Sequence, residues 1–543
     1  MNHPAPALDL AATRARHPVA ALVLLLAVTL GARLAVLPGS REANMDPDAA
    51  HFLNIAHCFA AGQGFSNPAA WPAWIRPARL PMPETFKEPA YPYAISKLAP
   101  LVGDPFRAGQ LISLLAGLLL PFFVYGLGRT LDADPRVGLV AGFAAAGSPL
   151  LLAQSVRVMV DSLFAAVVCL LFWAATARGS ESARARPLLL DLAVGALLGL
   201  TFLLRAQTLL ILPALGVLYL LRRPLGTSLV RLAFALAAAL LVASPLLLRN
   251  LRLFGTPLHS DVAAYGIWPY VDHLAFSHGL DRPPAPLAFV LHHVPQVFHH
   301  MALSLVRFAL HSLPEDILGN ALWMPLLAAG ALACLARWRR WLFAYVYLGL
   351  TITFVMAVHW DARYFASTVA LFGLFAAAGA AWLARAVAST PLAGRLTGGH
   401  LLAAALAVSL TVQTVAARRE AAGGASIELA AARAEGPRLA RHLAADEAVM
   451  AVTTSYWSWT TGRPSVHLVI ADQGRFLETV RRLHVRYAAL PTSRLAEFAA
   501  RYPGGRLPSV LVPDHADPAL DLTVFAVDDP ARRGQNDGPG VER

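Results

Sequence analysis

Lysine is almost missing from this chain. Of its 45 basic residues only Lys87 and Lys97 are lysine, and arginine carries the rest. Cysteine is scarce too. Cys58, Cys169 and Cys334 stand far apart, and two of them fall in apolar runs, which excludes a disulfide framework and any zinc-type spacing. Charged residues make up only 14% of the sequence, against 57% hydrophobic. No soluble domain needs that much apolar surface, so the composition predicts a polytopic membrane protein. There is no Gly-rich phosphate loop, no serine-hydrolase elbow and no His-Glu-x-x-His motif, so a nucleotide-sugar donor has no recognisable cradle. The net charge of +12 does not point to nucleic acid, because the arginines sit at the ends of apolar runs.

What is present is a series of runs each about long enough to cross a bilayer or nearly so. They cover Pro18–Leu37, Phe106–Gly128, Val137–Ala153, Met159–Ala175, Leu188–Leu204, Thr208–Leu221, Leu232–Leu248, Ala321–Leu335, Trp341–Val358, Tyr364–Leu383 and His400–Ala416. The first follows Arg14, Arg16 and His17 and reads as a signal anchor, being too long for a cleaved signal peptide. Arginines alternate between the connections. Arg14/Arg16, Arg129/Arg136, Arg178/Arg184/Arg186, Arg222/Arg223, Arg337/Arg339/Arg340 and Arg385/Arg395 fall on one side, and only Arg157, Arg205 and Arg363 in the short turns of the other. The positive-inside rule then predicts eleven spans with the N-terminus cytoplasmic. Both long inserts, 38–105 and 249–320, and the tail 418–543 are expected outside the cytoplasm of a bacterial inner membrane. In the tail, Ala448–Thr453, Ser465–Ile470, Val485–Leu490, Ser509–Val512 and Leu522–Val527 read as short buried strands, with helical turns at Glu478–Leu483 and Ser493–Arg501. The expected architecture is therefore mostly α: a transmembrane part over 1–417, a small outer α/β domain over 418–543, and a disordered end from about Asp529.

The first insert is the informative one, since connections are usually short. It holds Asp46, Asp48, Glu84, Lys87, Glu88 and Tyr91. The topology puts Asp161, Arg205, Arg249 and Arg363 on the same face. Ionisable groups at span ends are costly unless solvated, paired or functional, so their convergence suggests a cavity with carboxylates for acid/base work and cations for phosphate. Each residue also has a plain alternative. Asp48 opens an amphipathic helical pattern and suits an N-cap. Lys87 can snorkel from a Pro-rich loop. Asp161 can pair with Arg157 at a span end, and the arginines can touch lipid headgroups. His292-His293 and His299-His300 lie one heptad apart, but no acidic or cysteine partner has metal-site spacing, so no metal or other cofactor is expected.

Asp48-Ala49-Ala50-His51-Phe52, just after the first span, resembles the acidic motif of the protein O-mannosyltransferases. More broadly it is similar to the GT-C glycosyltransferases that use polyprenyl-phosphate sugars, including bacterial aminoarabinose transferases. Lys87-Glu88-Pro89-Ala90-Tyr91-Pro92 resembles the second loop motif of that family, and Ala60–Phe65, Arg249-Asn250 with Phe254–Pro257, and Arg363-Tyr364 resemble further family sequences. Ala49 departs from the acidic residue common there. The resemblance implies that Asp48 activates the acceptor, with Asp46 as helper and Asp161 in support. It implies phosphate contacts from Lys87, Arg205, Arg249 and Arg363, a carboxylate partner at Glu84 or Glu88, and inversion at the sugar. The implied partners are a polyprenyl-phosphate-linked sugar, a lipid, glycan or protein acceptor, and membrane lipids. A lipid or glycan transporter would instead show mid-membrane polar breaks and internal repeats. A scaffold for envelope assembly would not need the charges to converge.

Overall fold

A computed structural model describes residues 18–37, 45–132, 134–177, 187–221, 224–358, 360–388, 415 and 426–530. Each of the first ten expected spans coincides with a helix or a helix pair; the eleventh, apart from residue 415, lies outside the described residues. Helix α1 is Pro18–Val36. The first insert supplies α2 (Pro47–Ala60) and α3 (Ala90–Val102). Then come α4 (Pro105–Leu131), α5 (Pro135–Gly147), α6 (Pro149–Val156), α7 (Asp161–Ala177) and α8 (Pro187–Leu204). A 3-10 turn, Ala206–Leu210, leads into α9 (Ile211–Leu220), followed by α10 (Leu225–Phe254). Among the described residues five helices are long and apolar enough to cross a membrane, and four shorter apolar helices accompany them. The α5/α6 pair passes the same test together but bends by 57°. Pro149 explains that bend, since its ring and missing N–H break the helical ladder.

Asp-Pro pairs start three of these helices. The Asp46, Asp104 and Asp134 side chains each accept the N–H two residues on, and proline takes the first helical position, where no N–H is needed. Close helix packing uses small residues, as is usual in membranes. A Cβ on Gly330 would fall 1.7 Å from the Phe375 carbonyl oxygen, so only glycine fits where α15 (Trp323–Leu335) crosses α17 (Val369–Ala388). Before them the second insert is largely helical rather than a loop: α11 (Val262–Tyr265), α12 (His273–His278), α13 (Pro286–His292), α14 (Val294–Arg307) and a π-helix, Phe308–Ile317. Helix α16 (Trp338–Ala357) and a 3-10 turn, Ala362–Thr368, separate α15 from α17.

The tail carries α18 (Ile427–His442), α19 (Thr454–Thr461), α20 (Gln473–Arg482) and α21 (Leu495–Arg501) around a sheet. Its strands match the expected ones within a few residues: β4 (Ala448–Ala451), β5 (Ser465–His467), β6 (Val485–Pro491), β7 (Leu511–Asp517) and β8 (Leu522–Val527). One strand comes from elsewhere. Of the first insert's strands β1 (Ser66–Asn67), β2 (Ala69–Ala70) and β3 (Met82–Pro83), β2 lies parallel to β5, giving the order β2-β5-β4-β6-β8-β7. Insert and tail therefore share one sheet.

The charged residues sort by helix end. Asp132 at the end of α4 pairs with Arg337 at 3.1 Å, joining two connections expected on the same side. Helix α4 begins near Tyr91, whose hydroxyl donates to its Gly109 carbonyl. Its 27 residues separate these two levels by about 40 Å.

Candidate active site

The centre is Asp48, in the first turn of α2, where the helix N-terminus favours a carboxylate. Its Oδ1 accepts from Lys87 Nζ at 2.7 Å and its Oδ2 lies 2.7 Å from Arg363 Nη1. The three side chains are each about one-fifth exposed. Burial works to raise the Asp48 carboxyl, but Lys87 and Arg363, with a smaller contribution from His51, outweigh it and hold it well below the usual carboxylate range. Asp46 goes the other way: burial and the neighbouring Asp48 charge raise it, against Arg363. The helix cap is Asp46, not Asp48, so the capping alternative for Asp48 falls away. Asp361, which the sequence reading passed over within a polar turn, places Oδ2 2.7 Å from Arg363 Nε and accepts the Arg363 N–H at 3.0 Å.

Glu84 holds Lys87 in place. Its Oε1 accepts the N–H groups of Thr85, Phe86 and Lys87 at 2.6–3.0 Å. Its Oε2 accepts from Asn67 at 2.9 Å and meets His51 Nε2 at 2.8 Å. Burial opposes ionisation, but His51 and these donors bring the carboxyl down to about 2. Glu84 is thus an organiser of the loop, 1% exposed, rather than a group facing substrate. Tyr91, expected with Glu84 in the substrate loop, is likewise turned inward. It is fully buried, with its hydroxyl bonded to Gly109 O and Ser113 Oγ, because a buried phenol must find a partner.

Two more sequence-selected acids serve a neighbouring junction. Asp161 pairs with Arg205, whose guanidinium lies 5.2 Å from the Tyr364 ring centroid. Glu88 Oε1 accepts the Ala206 N–H at 2.8 Å, capping the 3-10 turn that has no cap of its own; burial raises this carboxyl against that bond and Arg205. Arg249 stands apart. Its Nη2 donates to the Phe65 and Glu84 carbonyls at 2.9 and 3.0 Å and its Nη1 to Asn250 Oδ1 at 2.9 Å. Three of its five N–H donors are thus spent within the protein. The paired histidines do not converge either: His292 and His293 bond carbonyls of their own helix. Among the described residues no group of three or more His, Cys, Asp or Glu could hold a metal ion.

Beside the cluster lies a cavity of about 370 Å³, lined among others by Asp46, Gln154, Arg157, Asp316, Asp361 and Arg363. Asp48 is not itself a lining residue; it is paired with Arg363, which is. The Gln154 Oε1 is buried without a hydrogen-bond partner among the described residues. Glu315 and Asp316 come from the π-helix, which a polar insert with scattered prolines did not announce.

Residues 84–248 match the family model for dolichyl-phosphate-mannose-protein mannosyltransferase. The solved structures place the chain in the GT-C fold. The oligosaccharyltransferase of Archaeoglobus fulgidus, solved with Zn and sulfate, superposes with a TM-score of 0.59 at 15% identity, over 94% of this chain and 73% of that one. ArnT from Cupriavidus metallidurans in the apo state gives 0.59 at 15% identity, over 96% and 99%. Its complex with undecaprenyl phosphate gives 0.56 at 14% identity, over 96% and 100%. No curated protein matches the chain by sequence.

Proposed function

We propose that this multi-pass membrane protein is a glycosyltransferase that moves a sugar from a polyprenyl-phosphate carrier to an acceptor hydroxyl. The observation that carries the reading is the Asp48 carboxylate held between Lys87 and Arg363, the latter lining a cavity. The family-model match over 84–248 and the undecaprenyl phosphate and dolichol-phosphate named for similar structures agree with it.

Lys87 and Arg363 take the carrier phosphate. Asp48 accepts the proton of the acceptor hydroxyl. The acceptor oxygen bonds to the anomeric carbon as the carbon–oxygen bond to phosphate breaks, and the phosphate leaves with the electron pair. A single displacement inverts the configuration. Negative charge growing on the leaving phosphate is met by cations already in place. The same charge draws Lys87 and Arg363 away from Asp48, so the carboxylate becomes more basic as the proton moves to it. No metal enters this scheme. Asp161 holds Arg205 beside Tyr364, and Glu88 caps the turn that follows Arg205; Arg249 braces the loop.

The site faces outward from the plasma membrane, with the N-terminus cytoplasmic, residues 1–417 forming the membrane part and 418–543 the outer domain. The arginine alternation supports this orientation. The test is transfer by purified protein in lipid nanodiscs, given undecaprenyl-phosphate sugars, paired with mass spectrometry of envelope glycans and lipids from cells with and without the chain. A sugar modification that disappears with the gene and reappears in vitro is expected. Unchanged glycans together with no transfer from any polyprenyl-phosphate sugar would overturn the reading.

A further inference from the structure

We propose that Tyr456, in the C-terminal domain, is a positioning residue for the catalytic turn Met45–Asp48. This rests on the function proposed above. The Tyr456 hydroxyl donates to the Met45 carbonyl at 2.8 Å. Met45 immediately precedes the cap Asp46, and Asp48 follows two residues later. Tyr456 is 1% exposed and Met45 4%, so no water competes for that bond. A second tie sits further down the helix: Asn54, 3% exposed, donates from Nδ2 to the Ser455 carbonyl at 3.0 Å. A third is the β2–β5 pairing, extended by the Ser465 N–H to the Pro68 carbonyl at 3.0 Å.

The Tyr456 bond sets where α2 starts, while the other two hold the helix and the insert further along; the start of α2 in turn meets groups that come from other parts of the chain. Asp48 faces Lys87 on the insert, Arg363 on the 3-10 turn, and His51 and Asp46 on or beside its own helix. Tyr265 of α11 and Tyr456 of α19 feel its charge. A displacement of a fraction of an ångström at Met45 lengthens both 2.7 Å contacts of Asp48 at once. The tail is thus a component of the site, acting on Asp48 through one buried hydroxyl.

The test is Tyr456→Phe, which keeps the ring and removes the donor, with Asn54→Ala as the companion. Expected for Tyr456→Phe is a fall in kcat of about tenfold, as small misplacements at reacting groups cause, with donor KM within twofold. The acid limb of kcat/KM should move to higher pH, because a loosened Asp48 relaxes toward the ordinary carboxylate range. Asn54→Ala should leave that limb in place. Hydrogen exchange of the peptide covering 45–52 should quicken in Tyr456→Phe, and this readout needs no turnover. Unchanged kcat, or an equal shift of the limb by Asn54→Ala, would overturn the assignment. A wild type that transfers nothing would sink the proposed function instead, and unaltered exchange over 45–52 would then sink this one separately.

Discussion

Asp48→Asn separates chemistry from architecture. The substitution is nearly isosteric and leaves the helix start alone, because Asp46 supplies the cap. It removes one negative charge from between two cations, each 2.7 Å away. With the three side chains about one-fifth exposed, each contact contributes about 1–2 kcal/mol, and the asparagine oxygen still accepts one hydrogen bond. The folding cost is therefore about 1–3 kcal/mol, which a large membrane protein tolerates. The catalytic cost is of another kind. An amide cannot take a proton, so loss of the base lowers turnover about 10²-fold or more, about 2.7 kcal/mol in the barrier. The assay is single-donor turnover at saturating undecaprenyl-phosphate sugar, with size-exclusion profile and melting in detergent as the folding control. Asp46→Asn should do less, since asparagine caps nearly as well. Turnover by Asp48→Asn within threefold of wild type would refute the base assignment. If Glu88→Gln is then dead, the base was misplaced though the enzyme class survives.

Arg363→Ala should lower donor kcat/KM by roughly 10–100-fold through a lost charge-assisted phosphate contact of about 1.5–3 kcal/mol. Arg249→Ala should instead show first in thermal melting, because its guanidinium ties the Phe65 and Glu84 carbonyls; equal effects of both on donor use would contradict that division. Glu84 ionises near 2 rather than its ordinary 4.5, so its stabilisation is complete above the ordinary value and lost as pH falls from there toward about 2. Glu84→Gln should be less stable than wild type at pH 7 by on the order of 3 kcal/mol, with the gap closing below pH 4 in melting curves; a pH-independent gap would disprove this account of the Glu84 carboxylate. Reporter fusions after Arg186 and Arg340 should read cytoplasmic and one after Arg418 external; a cytoplasmic tail would remove both the topology and the site.

The membrane helices were legible because an apolar run and its flanking arginines are local signals. The tail strands were legible for the same reason, each a short apolar run between turns. Asp48, Lys87 and Arg363 were found together only through motif order and a shared face. What escaped was set by tertiary context. Asp46 and Asp48 compete for the cap, and Pro47 was the available clue, since proline takes the first helical position. Asp361 sits two residues before Arg363 and had the same Asp-x-Arg proximity to show, but nothing local marks it as a partner. Tyr91, Glu84 and Arg249 had the right residue types on the expected face; only their neighbours show that carbonyls, amides and His51 engage their polar groups. Nothing near Ala69 or Tyr456 hints that they meet the other end of the chain.

That last meeting has a consequence in time. The hydrogen bonds at Asn54 and Met45 reach partners 401 and 411 positions downstream. At about 5–20 residues per second, the ribosome needs on the order of 20–80 s to deliver them after the first insert has left the translocon. Through that interval the first insert holds Asp48 beside an unpaired two-residue strand, with its helix ends set but its register unset. A nascent or truncated chain would then insert, pass for folded by its membrane helices, and stay inert. Assembly order, rather than a separate inhibitor, would keep an immature enzyme from spending lipid-linked sugar before its own tail arrives.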